Sequence, residues 1–318
     1  MPEPTANHGF RPKLMDRILY LLARIGVGLL QAMPLRVVAR LGRCGGELVY
    51  WLDRRHRRMA FYNLTRCFGA ERSAEEIRAL THENFRRIGE NYCCAIKTAA
   101  MDEAAIKRVL EVRGAEQLDP PGSNDPPKCQ VLATGHFGNF ELFGRMIAYL
   151  KGNRYRVACT YRGLRQPRLD GLLHSLRSVS GMLMFERRTG GEGLKKAMNQ
   201  GGLLLVLVAD QSSREAGLEV SFFGYPCFAS RAPAVMAARY GCTLFVPICY
   251  RVALGRWVIE MGEPIPTHAD GRRRPADAIT RDINAAMEVA VRRDPANWFW
   301  VHNRWKARVS SVASPMAA

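Results

Sequence analysis

The sequence predicts an α/β protein in which a mostly parallel central sheet is flanked by helices and preceded by a helical N-terminal segment. Residues 14 to about 110 set apolar side chains at helical spacing. From Lys128 onward, short apolar runs alternate with amphipathic stretches, the βαβ rhythm of a parallel sheet covered on both faces. Of the 318 residues 47% are hydrophobic, enough for a sizeable buried core.

Taken in order, the stretch Leu14 to Met33 is apolar but carries Asp16, Arg17, Arg24 and Gln31. It therefore lacks the run of about 18 uncharged apolar residues expected of a membrane-spanning helix. Arg24 interrupts the apolar stretch and no small-x-small site precedes Pro34, which argues against a cleavable signal peptide. The pattern suits either a helix lying in a membrane interface or an amphipathic helix packed on a core. Breaks at Pro34, near Gly69 and near Ala100 divide the helical part, and Ser73-Ala74-Glu75-Glu76 is a capping-box signature. A loop spans Asp119 to Pro127, which holds four prolines and one glycine. Strands are expected at 130–134, 156–161, 203–208, 243–250 and 257–261, with helices around 139–150, 167–180, 190–200 and 232–240. This organisation gives an N-terminal membrane-associating helix over 1–34, a main domain over 35–308 and a frayed tail over 309–318.

Lys and Arg number 47 against 29 Asp and Glu, a formal net charge of +18. Such a chain seeks anions: nucleic acid, an anionic membrane, or an acidic substrate or carrier. The basic residues fall in short pairs and runs such as Arg54, Arg55, Arg57 and Arg58, and no zinc-finger, helix-turn-helix or RNP pattern accompanies them. Nucleic acid is therefore not expected as a partner. The nine cysteines are an odd number, with Cys93 and Cys94 adjacent and no metal-ligand spacing. Neither a disulfide framework nor a metal site is expected, and a reduced, cytoplasm-facing compartment follows. Cys129, Cys242 and Cys249 sit in apolar company and read as small core residues.

In open α/β sheets ligands gather beyond the carboxyl ends of the strands. Beyond the first expected strand stands Gly135-His136-Phe137-Gly138-Asn139-Phe140-Glu141, beyond the second Tyr161-Arg162, and beyond the third Ala209-Asp210-Gln211; Ser221 to Gly224 forms a further loop. His136 and Glu141 are five residues apart, about 140° around a continuous helix, so they face each other only if His136 lies on a turn. Gly135 and Gly138 free that turn, and Asn139 as N-cap sets Glu141 in the first helical turn. A carboxylate on one ring nitrogen leaves the other free to take a proton from an alcohol. No GxSxG is present, so the substrate hydroxyl itself would be the attacker. The alternative is an ordinary loop histidine beside a surface glutamate.

These residues resemble the bacterial lipid A biosynthesis acyltransferases, the lauroyl/myristoyl group within the wider lysophospholipid acyltransferase-like superfamily. The likeness runs through His136 to Glu141, Tyr161-Arg162, Gln166 to Asp170, Arg177 and Gly181, Gly201-Gly202, Asp210-Gln211, Phe222 to Pro226 and Asn297 to Lys306. It implies a glycerolphosphate acyltransferase-like fold, a His136/Glu141 dyad, and an acyl carrier protein or coenzyme A thioester as donor, with no cofactor. It also assigns Arg162 and Asp210 to the active-site region. There Arg162 would grip an anion, and Asp210 would order the surroundings of His136 or pair with Arg162. Gln211, Gly138, Asn139 and, as a second anion ligand, Arg231 complete the expected substrate-binding set. Where the family shows Thr and Asn, this chain has Cys227 to Arg231 and Gln166, a departure that bears on the acceptor.

The expectation is therefore an O-acyltransferase on the cytoplasmic face of the inner membrane, in contact with anionic lipids and acting on a lipid hydroxyl such as that of a lipid A precursor. His136 would act as base, and backbone amides of the Gly135 to Asn139 turn would meet the oxyanion. A thioesterase or lipid hydrolase on the same fold, or a catalytically idle membrane-binding protein, are the rival readings. Trp298, Trp300 and Trp305 near the end would stack on bases, anchor at an interface or fill the core.

Overall fold

The computed structural model describes residues 14–118, 127–149, 154–213 and 217–306. Most of the expected loop at Asp119 to Pro127, and the expected tail beyond Arg308, lie outside the described residues.

The N-terminal third is helical: α1 (Leu14–Ala32), α2 (Leu35–Leu52), α3 (Arg54–Phe68), α4 (Ala74–Ala99) and the short α5 (Glu103–Lys107). Local chemistry sets the boundaries. Pro34, which has no N–H to give, separates α1 from α2. The Asp53 carboxylate accepts the His56 N–H at 3.0 Å and opens α3. At α4 the expected capping box is present, with Ser73 and Glu76 each accepting the other's backbone N–H.

Helices α2 and α4 approach closely because Gly42, Gly46 and Gly89 carry no side chain at their contact. A Cβ on Gly46 would lie 2.1 Å from the Phe85 carbonyl oxygen, and one on Gly89 equally close to that of Gly42. Beside this contact the fully buried Glu90 accepts Nη1 of Arg43 at 3.3 Å, Nε of Arg251 at 2.8 Å and the Gly255 N–H at 2.9 Å. α1 differs, for it buries no residue. Leu14, Ile18, Leu21, Leu22, Ile25 and Leu29 are exposed, and the outward apolar face continues on α2 through Leu41, Leu48, Trp51 and Leu52. No described helix is long and apolar enough to cross a membrane.

The remaining elements are β1 (Leu110–Arg113), β2 (Gln130–Thr134), β3 (Arg156–Tyr161), α6 (Pro167–Ser178), β4 (Leu183–Glu186), α7 (Gly191–Asn199), β5 (Leu203–Val208), β6 (Leu218–Phe222), β7 (Tyr225–Ala229), α8 (Ala232–Tyr240), β8 (Thr243–Phe245), β9 (Ile248–Ala253), β10 (Arg256–Glu260), β11 (His268–Ala269), β12 (Arg272–Arg273) and α9 (Ala276–Arg293). The central sheet has the order β4-β3-β5-β2-β8 and is parallel throughout. Its apolar runs serve two cores at once. Val131, Ala133, Leu203, Leu205 and Leu207 pack on one side with Ile283 and Trp298, while Leu132, Leu204 and Val206 pack on the other with Leu142 and Phe143. Alternation of side chains along a strand makes this possible.

Three expectations are corrected. The strand expected over 243–250 is two strands, because Pro247 lacks the N–H a ladder needs and β9 leaves for a separate sheet, β1-β10-β9. The helix expected around 139–150 is a 3-10 helix, Phe140–Tyr149. The loop expected around Ser221 to Gly224 is the turn of the hairpin β6-β7, with Phe223 at φ 55° and Gly224 at φ 75°. Cys129, Cys242 and Cys249 are buried as expected, and all nine cysteines are free.

Removing Glu90 strands the mostly buried Arg251 and leaves Arg43 with Glu83 alone, its closer Glu83 bond being 2.7 Å. Glu90→Ala is expected to lower unfolding stability by about 3–5 kcal/mol, read from the urea midpoint; a loss below about 1 kcal/mol would show that the cluster does not hold α2, α4 and β9 together.

Candidate active site

Strands β2 and β5 are neighbours, with Thr134 level with Val208. His136 and Asp210 each lie two residues beyond that pair, so the register brings them side by side. The Asp210 carboxylate reaches under the turn that follows β2. Its Oδ2 accepts the His136 backbone N–H at 2.9 Å and the Trp298 indole N–H at 2.8 Å, and its Oδ1 lies 2.9 Å from His136 Nδ1. Gly135 must be glycine here, because a Cβ would sit 2.7 Å from that of Asp210. Gly138 is fixed likewise: it holds φ 51°, and a Cβ would lie 2.4 Å from the Cys249 carbonyl oxygen.

Asp210 is buried at 2% exposure. Burial works against its ionised form, but the charge and hydrogen bonds of His136, with Arg304 beyond, hold the carboxyl well below the usual carboxylate range. Arg304, itself fully buried, donates to the Asp210 carbonyl oxygen and to Asn284. An ionised Asp210 can only accept, so Nδ1 of His136 carries the proton and Nε2 keeps the lone pair. Burial pulls the His136 pKa down; the Asp210 charge and hydrogen bond, with a smaller contribution from Glu141, outweigh it and leave the ring above its ordinary value. Phe140 and Phe299 flank the ring at centroid distances of 4.8 and 5.6 Å.

The expected partners His136 and Glu141 are thus not paired with each other. Among the described residues Glu141 makes no hydrogen bond to His136; its carboxylate accepts Nε and Nη2 of Arg177 on α6, the Nε bonds at 2.9 and 3.1 Å. Glu141 still lines the small cavity in front of His136, with Tyr92, Gly138, Asn139 and Phe299. Asn139 does not cap a helix as expected. It is 1% exposed, and among the described residues neither its Oδ1 nor its Nδ2 has a hydrogen-bond partner. The turn's amides are also less available than expected: those of His136, Phe137 and Gly138 are bonded to Asp210, Gly135 and Asn297.

Arg162 follows β3 as expected, yet it is exposed, lines neither cavity of the site and pairs with no carboxylate among the described residues. The cation that enters the crevice is Arg177, to which the sequence reading gave no role. Two signals pointed to it: its place in the family likeness, and the start of α6 just past the carboxyl end of β3, from which an inward-facing arginine overlooks the strand ends. Gln211 is exposed beside Asp210, and Arg231 is exposed and paired with Asp277 at 2.5 Å. Trp298, Trp300 and Trp305 fill the core, and Trp298 in addition supports Asp210.

Behind Glu141 the space opens into an apolar cavity of ≈ 400 Å³ lined by Leu164, Leu169, Leu172, Leu173 and Leu176. Tyr92, Ala95 and Glu141 line both spaces. A parallel α/β sheet with a carboxylate-held imidazole at its strand ends and an apolar cavity beside it has the make-up of an enzyme active site. The family model for bacterial lipid A biosynthesis acyltransferases matches residues 9–307, and the chain belongs to that family and is an acyltransferase. It is 26% identical over 314 residues to the lipid A biosynthesis lauroyltransferase of Escherichia coli (strain K12), an alignment covering 95% of this chain and 98% of that protein.

The two histidines nearest the site are expected to titrate apart. Burial, with Lys306 next, pushes His302 down to about 4, whereas His136 should titrate above the ordinary ~6.5 and hold its proton on Nδ1. Nitrogen-15 NMR of the histidine rings reads both, and a neutral His136 protonated on Nε2 would contradict the assignment.

Proposed function

We propose that this chain transfers a fatty acyl group from an acyl carrier protein or coenzyme A thioester to a hydroxyl of a lipid A-type precursor, at the cytoplasmic face of the inner membrane. The observation that carries the chemistry is the Nε2 lone pair of His136, held toward a cavity that passes Glu141 into an apolar space. Nε2 takes the proton of the acceptor hydroxyl, and the oxygen attacks the thioester carbonyl carbon. A new C–O bond forms and the carbonyl oxygen becomes an oxyanion. Collapse breaks the C–S bond, and the departing thiolate takes the proton back from the imidazolium, giving an ester and a free thiol.

The amide of Asn139 is suited to meet the oxyanion, since it is buried beside His136 with no partner of its own. Asp210 holds the imidazole and stabilises its charged form. The pair of Glu141 and Arg177 sets one wall of the passage and keeps a cation at the mouth of the apolar cavity, which takes the acyl chain. Membrane contact is supported by the apolar outer face of α1 and α2, bordered by the exposed Arg17, Arg36 and Arg40. The net charge of +18 favours both an anionic membrane and an acidic carrier.

Purified enzyme given an acyl thioester and a lipid A-type acceptor is expected to yield the acylated lipid by mass spectrometry, and His136→Ala is expected to reduce turnover at least about 10³-fold. Near wild-type turnover in that variant, or full-rate release of free acid with no acceptor present, would contradict the proposal. Asn139→Ala is expected to cut kcat about 10²-fold or more while the melting temperature holds or rises, because an unpartnered buried amide costs stability; unchanged kcat would remove Asn139 from the oxyanion site.

A further inference from the structure

A second space lies on the other side of α6. The groove between α1 and α6 measures ≈ 730 Å³ and is lined by Tyr20, Arg24 and Gly28 from α1 and by Arg168, Gly171 and Leu172 from α6, among others. Leu172 and Leu176 line both this groove and the apolar cavity beside Glu141, so two leucines stand between them. α6 itself buries no residue.

Two arginines sit on one ring in this groove. The guanidinium carbons of Arg24 and Arg168 lie 5.9 and 5.8 Å from the centroid of Tyr20, and among the described residues neither arginine pairs with a carboxylate. Both guanidinium groups are exposed, so two cations without a carboxylate partner line one groove and are open to an anion from solution. Two glycines widen the groove. At the contact of α2 with α4 a glycine is needed because a Cβ would strike backbone, but a Cβ on Gly28 or Gly171 would meet nothing within 4 Å. Both line the groove, and their missing side chains add to its width.

We propose that the groove between α1 and α6 binds a phosphate-bearing lipid, its phosphate held between Arg24 and Arg168 and its acyl chain directed past Leu172 and Leu176 toward the cavity beside Glu141. The occupant is an amphiphile rather than a free anion because the groove adjoins the exposed apolar face of α1, including Leu21 and Ile25. An arginine pair matches a phosphate by charge and by fork geometry. The inference rests on the reading that α1 meets the membrane and does not depend on the chemistry of His136.

Calorimetric titration of the full chain with dihexanoyl phosphatidic acid tests it. Binding is expected, with Kd raised at least tenfold in the Arg24→Ala, Arg168→Ala double variant and also in Gly171→Leu, which fills open space without touching backbone. His136→Ala is expected to bind like wild type, so that failure of the catalytic proposal would leave this result standing. Unchanged Kd in both groove variants would overturn the site, as would equal binding of dihexanoylglycerol, which lacks the phosphate. Competition by inorganic phosphate at the same concentration as the lipid would show a bare anion site and overturn it too.

Discussion

A carboxylate taken out of water is costly unless hydrogen bonds replace what water gave it. Asp210 is such a group, and much of the carboxyl-terminal half of the chain is arranged around it. Its two oxygens take a backbone N–H, an imidazole N–H and an indole N–H, while Arg304 holds its carbonyl oxygen from below. The donors come from two distant parts of the sequence, His136 after β2 and the segment from Trp298 to Arg304 after α9. The turn after β2 must stay open at Gly135 to admit the carboxylate, and the segment after α9 must fold back to present Trp298 and Arg304. The same interaction that satisfies the buried charge fixes which nitrogen of His136 is free.

Around this centre the work is divided between pairs. Asp210 and His136 supply an oriented base, whereas Glu141 and Arg177 tie the segment after β2 to α6 and line the way into the apolar cavity. Phe140 meets the imidazole edge-on and Phe299 meets it at a tilt, which limits the ring's freedom to turn. On the far side, α1 lies against α4 and α6 with its leucines outward, which sets that exposed apolar surface and the cavity beside Glu141 on either side of one lightly packed helix.

Much of the sheet was legible because buried parallel strands have no polar face: the runs at 130–134, 156–161 and 203–208 coincide with β2, β3 and β5. Short or interrupted strands were not. β4 has only four residues, none fully buried, and β8 and β9 read as one run until Pro247 parts them. His136, Asp210 and Glu141 were recognisable as strand-end residues, but their pairing was not. Sequence spacing ranks Glu141 as the neighbour of His136, whereas Asp210 is 74 residues away and becomes adjacent only because β5 lies beside β2. For the same reason Arg162 and Arg177 exchanged places: position after a strand does not say which way a side chain turns, and a helix two turns on can deliver its arginine where the strand end does not.

The most direct test of this account compares the pH dependence of kcat/KM in Asp210→Asn and Glu141→Gln. In the proposed mechanism activity requires neutral His136, so the rate falls as pH drops through its pKa, and the Asp210 carboxylate is the main group raising that pKa against burial. In Asp210→Asn the acid limb is expected to move to lower pH while the plateau falls about 10³-fold or more; in Glu141→Gln the limb moves less. A limb that stays in place in Asp210→Asn but shifts strongly in Glu141→Gln would contradict the account and return the orienting role to Glu141.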